Sequence, residues 1–178
     1  MNNNSKIDSI FAEATDFELT DAVHGAIEDL YGFDAILEKA KNVPFDRWVV
    51  HTVIANTGYF ETNGYSYFWG TKHDHHGFAE ALKVIGKPIL AQIVETSIKK
   101  VPKDILGDWD KVDEYFGSYE KRLEAAIILD AKLINEHPDI VPKVSKYIRK
   151  NRIRYYDVID KIEKSIMESR KLFEQYES

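Results

Sequence analysis

The sequence predicts an all-α fold, a single helical bundle of about seven or eight helices that ends in a long C-terminal helix. Three observations predict it. Apolar residues recur at three- and four-residue steps through most of the chain, the period of a helix with one buried face. No run alternates apolar and polar positions as a half-buried strand requires. Pro44, Pro88, Pro102, Pro138 and Pro142, with Gly32, Gly86 and Gly117, punctuate the periodic segments where helices start, stop or bend. With no repeat at fixed spacing and no low-complexity linker, residues 1–178 read as one domain.

The first helix is expected from Ser5 to about Ala14, because Ile7, Ile10 and Phe11 lie on one face. Thr20 is the expected cap of a second helix, in which Val23, Ile27, Leu30, Ile36, Leu37 and Ala40 recur and Lys39 and Lys41 suit the C-terminal dipole end. Gly32 is a possible break. Pro44 opens a third helix whose face is Trp48, Val49, Thr52, Val53 and Asn56. A fourth carries Phe78, Ala81, Leu82 and Ile85 and is closed by Gly86, and Pro88 starts a fifth with Ile89, Leu90, Ile93, Val94 and Ile98. From about Trp109 to Asn135 the expected inward face is Val112, Tyr115, Phe116, Tyr119, Leu123, Ile127 and Leu133, with Gly117 as a possible break and Pro138 as the stop. A shorter helix reaches Lys150. Residues 152–178 form the last, where Tyr155, Ile159, Ile162, Ile166, Ser169, Phe173 and Tyr176 make a narrow stripe. Such a stripe docks on the domain's own core or pairs with a second copy, so monomer and homodimer both stay open.

Composition excludes several function classes. At 178 residues and 44% hydrophobic the chain can bury a core without staples, and with no cysteine it has no disulfide, thiolate metal site or cysteine nucleophile. The net charge of −6 argues against general affinity for nucleic acid or anionic membranes. No apolar run approaches the roughly 18–20 residues that cross a bilayer, and MNNNSKIDS lacks a signal peptide's basic and apolar regions, so a cytoplasmic location is expected.

The segment Asn56–Gly86 departs furthest from helix-forming composition. It holds six aromatics between Tyr59 and Trp69, and three of the six histidines at His73, His75 and His76. Base stacking on nucleic acid is disfavoured because no Lys or Arg lies between Arg47 and Lys72 to neutralise phosphates. Tyr59, Phe60, Tyr65, Phe68 and Trp69 can instead fill the core where helices meet. A groove lined by Glu61, Asn63, Gly64, Tyr67, Phe68 and Trp69 is the alternative. Asn63-Gly64 reads as a turn, and Gly70-Thr71-Lys72 has a phosphate loop's residues in the wrong order. His73, His75 and His76 are the metal candidates, with Asp74 or Glu61 to complete a site, but their spacing matches no established motif and no cofactor is expected. Asp108, Asp110 and Asp113 lack the glycine and distal glutamate of a calcium loop and suit helix capping. No serine has a nucleophile's context, and His24 and His51 show no evident carboxylate partner.

Charge is uneven. Up to Asn42 there are nine acids against three lysines, whereas Lys143 to Arg154 carries six cations and no acid. The expectation is an acidic front, through Glu18, Asp21, Glu28, Asp29, Asp108, Asp110 and Asp113, that meets a basic or nucleic-acid-binding protein partner.

The run Glu61-Thr62-Asn63-Gly64, then Tyr67-Phe68, then Ala81-Leu82-Lys83-Val84-Ile85-Gly86, resembles the DUF4375 family, which includes the DMP19-type DNA-mimic proteins. The family's pattern has a second glycine where Tyr65 stands, and its polar loop corresponds to Gly70-Thr71-Lys72-His73. Residues 53–102 carry the resemblance; Leu129-Asp130 and Tyr147-Ile148 fit its second half loosely. The resemblance implies an all-α domain and, in the DNA-mimic members, a carboxylate surface that occupies a DNA-binding protein's site. The expected function is therefore a non-catalytic protein-binding module. The alternatives are a small-molecule or metal-dependent enzyme working at residues 61–76 and a structural or oligomerising protein.

Overall fold

A computed structural model describes residues 3–33, 42–136 and 139–176. Within them the chain is all-α and has no strand. Its helices are α1 (Asn3–Glu13), α2 (Asp16–Tyr31), α3 (Phe45–Asn63), α4 (Tyr65–Phe68), α5 (His75–Val84), α6 (Pro88–Ile98), α7 (Trp109–Phe116), α8 (Tyr119–Glu136), α9 (Ile140–Lys150) and α10 (Ile159–Tyr176), with a 3₁₀ segment over Arg152–Val158. The two helices beyond the expected eight are α4 and the one gained where Gly117 splits α7 from α8. At φ 73° Gly117 takes the left-handed conformation that ends α7, and its amide donates to the Asp113 carbonyl. The expectations for Asp34, Ile36, Leu37, Glu38, Lys39, Ala40, Lys41 and Pro138, and for the side chains of Tyr65 and Leu133, lie outside the described residues.

Thr15, not Thr20, caps α2. Its hydroxyl accepts from the Glu18 amide while the Glu18 carboxylate accepts from the Thr15 amide, a reciprocal capping box. Thr20 is buried one turn inside the helix. The signal was the pair Thr15 and Glu18 three residues apart. Gly32, at φ 79°, ends α2.

The centre of the fold is α3. Ten of its residues are buried, from Arg47 to Phe60, and it packs against α2, α4, α5 and α9. Around it, α2 meets α9 and α10, α5 meets α6, and α8 closes on α4 and α6. The aromatic segment is more regular than its composition suggests. It continues α3 to Asn63 and forms α4, leaving residues 69–74 as the irregular part before Asp74 caps α5 by accepting from the Gly77 amide.

One expected face is rotated, and another is buried over only part of its length. Among the described side chains of α8 the buried ones are Arg122, Ala126 and Leu129, and Tyr119, Leu123 and Ile127 point outward. The apolar period there marks an exposed stripe, and the inward face carries the charged Arg122 in its place. In the C-terminal stripe, Tyr155, Ile159, Ile162 and Ile166 are buried against the domain itself, whereas Phe173 is 62% exposed. Arg152–Val158 is 3₁₀, so the last element is not one continuous α-helix.

Gly70 is required for packing. A β-carbon there would lie 2.3 Å from the Trp109 ring. Gly70→Ala is expected to destabilise by about 1–3 kcal/mol, the range for overpacking a filled site, in urea unfolding followed by circular dichroism.

Candidate functional site

The acidic N-terminal helices and the basic C-terminal elements face each other. Arg149 reaches Asp16 at 3.2 Å and Arg154 reaches Asp46 at 3.6 Å, and Arg152 pairs with Asp8. Further along, Lys161 reaches Asp29 at 3.1 Å and Arg170 reaches Glu18 at 2.7 Å. Arg170 and the Thr15 cap hold the Glu18 carboxyl well below its usual range, at about 2. The charge asymmetry along the sequence is therefore matched within the fold. Of the expected partner-binding acids, Glu18 and Asp29 are engaged internally, Asp21 is exposed, and Glu28 sits beside His24. On α7, Asp108 caps the helix and pairs with Lys111 at 2.8 Å, Asp113 pairs with buried Arg122, and Asp110 is exposed.

The expected groove residues separate. Phe68 and Trp69 are fully buried, Phe68 against Phe60 with ring centres 4.4 Å apart and Trp69 against Phe116 at 5.2 Å. Tyr67 belongs to an aromatic box with Trp109 and Tyr119, whose ring centres lie 5.1–5.4 Å from the Arg122 guanidinium. Glu61 is exposed, the Asn63 amide donates to the Tyr59 carbonyl at 3.3 Å, and Gly64 faces Asp130. The open cleft nearby, about 660 Å³, is lined instead by Phe33, Thr71, Lys72, His73, Asp108 and Trp109, among others.

The clustered histidines do not converge. The Asn56 amide donates to the Thr52 carbonyl, which leaves its oxygen to accept from His73 Nδ1 at 2.7 Å. His75 Nε2 lies 2.8 Å from the Phe68 carbonyl, and His76 is exposed at the start of α5. These contacts fix the turn between α4 and α5. Burial lowers the pKa of His73, with neighbouring His75, to about 4.

A different set does converge. His24 and Glu28 on α2 and His51 on α3 bring one ligand atom each within 4.8 Å of one another. The two imidazoles stack at 4.9 Å between centroids, and His24 Nε2 lies 3.7 Å from Glu28 Oε1. His51 is 1% exposed, and neither of its ring nitrogens, nor His24 Nε2, makes a hydrogen bond of ordinary length, only the Phe33 backbone approaching His51 weakly. Burial lowers both histidine pKa values. That of His51 falls to about 4, lowered further by His24 and opposed by Glu28 and the Phe33 backbone. The visible half of this set was the one-turn spacing of His24 and Glu28; His51 joins only through the packing of α2 on α3.

The class defined by this fold is an all-α helical protein, and no helix among the described residues is long and apolar enough to cross a membrane. No family model, curated protein or solved structure matches the chain.

Proposed function

We propose that this chain is a non-catalytic protein-binding module that receives a basic, amphipathic segment of a partner protein on the outer face of α7 and α8. The single observation that carries the reading is an apolar stripe left open to solvent. Tyr119, Leu123 and Ile127 follow one another at one-turn steps, with Tyr115 beside them across Gly117, and Ile127 is 64% exposed. Acids rim the stripe. From Asp108 to Glu124 there are six carboxylates and three cations, and Asp110, Glu114 and Glu124 have no ion-pair partner among the described residues. An apolar centre with an acidic rim suits a cationic amphipathic segment, the charges raising the on-rate and the stripe setting the lifetime.

The resemblance to the DUF4375 family supports the same class of activity, occupation of a basic or nucleic-acid-binding protein's surface by carboxylates. The surface differs from the one expected, since Glu18 and Asp29 are matched by Arg170 and Lys161. Neither nucleic acid nor a membrane is part of the proposal.

The test is retention of proteins from host lysate on immobilised protein at low salt, with Leu123→Asp/Ile127→Asp as comparison. Both positions are exposed, so the double variant is expected to fold with a stability change of no more than about 1 kcal/mol. The expected result is a basic protein that the wild type retains, salt releases and the variant fails to retain. Equal retention by the variant, or none by the wild type above a bare matrix, overturns the proposal.

A further inference from the structure

We propose that His24, Glu28 and His51 form a binding site for one divalent transition-metal ion, with zinc the best match to two imidazoles and one carboxylate. The donor set is the first reason. Borderline-soft ions such as Zn²⁺ take imidazole nitrogen together with carboxylate oxygen, whereas calcium and magnesium demand oxygen ligands.

The placement is the second. His24 and Glu28 stand one turn apart on the same face of α2, and His51 comes from α3, which packs directly on it. Metal bonds of about 2.0–2.2 Å set tetrahedral ligand atoms roughly 3.4 Å apart. His24 Nε2 and Glu28 Oε1 are already 3.7 Å apart, and the whole set lies within 4.8 Å. Closing the remainder requires the stacked rings to turn so that one nitrogen lone pair of each points at the ion.

Burial supplies the independent observation. A histidine buried as deeply as His51 normally donates or accepts at its ring nitrogens, because an unmade hydrogen bond in the interior is unfavourable. No hydrogen bond of ordinary length reaches either His51 nitrogen, the weak approach of the Phe33 backbone aside, and His24 Nε2 has only the Glu28 carboxylate, 3.7 Å away. One cation would satisfy a nitrogen on each ring. Glu28 already stands beside His24, so the pocket holds a carboxylate to balance a cation. Three protein ligands leave at least one coordination position to water or a small ligand. That position opens on the side of Glu28, the most exposed of the three side chains at 34%.

The experiment uses the untagged full chain, stripped with chelator, and titrates it with Co²⁺, whose visible absorption reports coordination, and then with Zn²⁺ in competition. Glu28→Gln, His51→Phe and the control His76→Gln are titrated alongside, each checked for helical content. The expected result is saturation at one ion per chain, a rise in melting temperature with Zn²⁺, and affinity reduced about tenfold or more in Glu28→Gln, since even residues behind the ligands matter by that factor. His51→Phe loses the site and His76→Gln keeps it. Glu28→Gln alters a partly exposed side chain and so reads binding without threatening the fold. A wild type that does not saturate at one ion per chain, binding unchanged in Glu28→Gln and His51→Phe, or loss of the ion in His76→Gln overturns the site.

Discussion

Trp69→Ala will lower the stability of this protein by about 3–5 kcal/mol, the range for truncating a fully buried large aromatic. The ring is inaccessible to solvent and stacks on Phe116 with centroids 5.2 Å apart. Its indole nitrogen donates to the Ser97 carbonyl and hydroxyl, both at 3.1 Å. The substitution removes contacts to α6 and α7 together and leaves a void that the flanking helices can only partly fill. Urea unfolding at neutral pH is the measurement, with the midpoint shifted and the slope unchanged. Phe173→Ala is the internal contrast. That side chain, also part of an apolar stripe in the sequence, is exposed, and its loss is expected to change stability by no more than about 0.5 kcal/mol. A loss below about 1 kcal/mol for Trp69→Ala would mean that the aromatic segment is not the core joint between α4, α6 and α7.

Local signals were legible in the sequence, and tertiary ones were not. Helix ends set by Gly117, Gly86, Pro44 and Pro88 were legible, because these residues act through their own backbone preferences, whereas the cap of α2 was misplaced from Thr15 to Thr20. Faces were legible where one side of a helix is much more apolar than the other, as for Phe78, Ala81 and Leu82 in α5. They failed in α8, where Arg122 is buried by an aromatic box and a partner on α7 while Leu123 and Ile127 stay outside. Nothing in the local period distinguishes that arrangement from its opposite.

Charge and site failed for a related reason. The acids of α1 and α2 and the cations that follow Lys143 look like two solvated faces until α2 is packed on α9 and α10, and then they neutralise each other. His24 and His51 looked like isolated histidines because the contact between them spans two helices. His73, His75 and His76, adjacent in sequence, separate because Asn56 and the Phe68 carbonyl each take one ring. Proximity along the chain overstated one cluster and hid the other.

The buried histidines also set the response to acid, measured with chelator present so that no metal contributes. His51, ordinarily titrating at 6.5, is held neutral in the folded state down to about pH 4 by burial and by His24. The unfolded chain protonates it below 6.5, so between 6.5 and 4 the unfolded state binds more protons and stability falls with pH. The contribution is complete above the unfolded value and lost as pH drops through this window, to a limit of about 3 kcal/mol for this residue alone. His73 acts in the same direction over the same range. Glu18 loses its part later, between 4.5 and about 2, because Arg170 keeps it ionised. Replacing His51 by phenylalanine removes one titrating group while keeping a ring of similar shape against His24. The difference in unfolding free energy between wild type and His51→Phe is therefore expected to shift in the variant's favour by about 3 kcal/mol on going from pH 7 to pH 4. A difference that stays constant to within about 0.5 kcal/mol across that range would show that His51 is solvated or charged in the folded protein, and it would take the unpaired ring nitrogens away from the metal site as well.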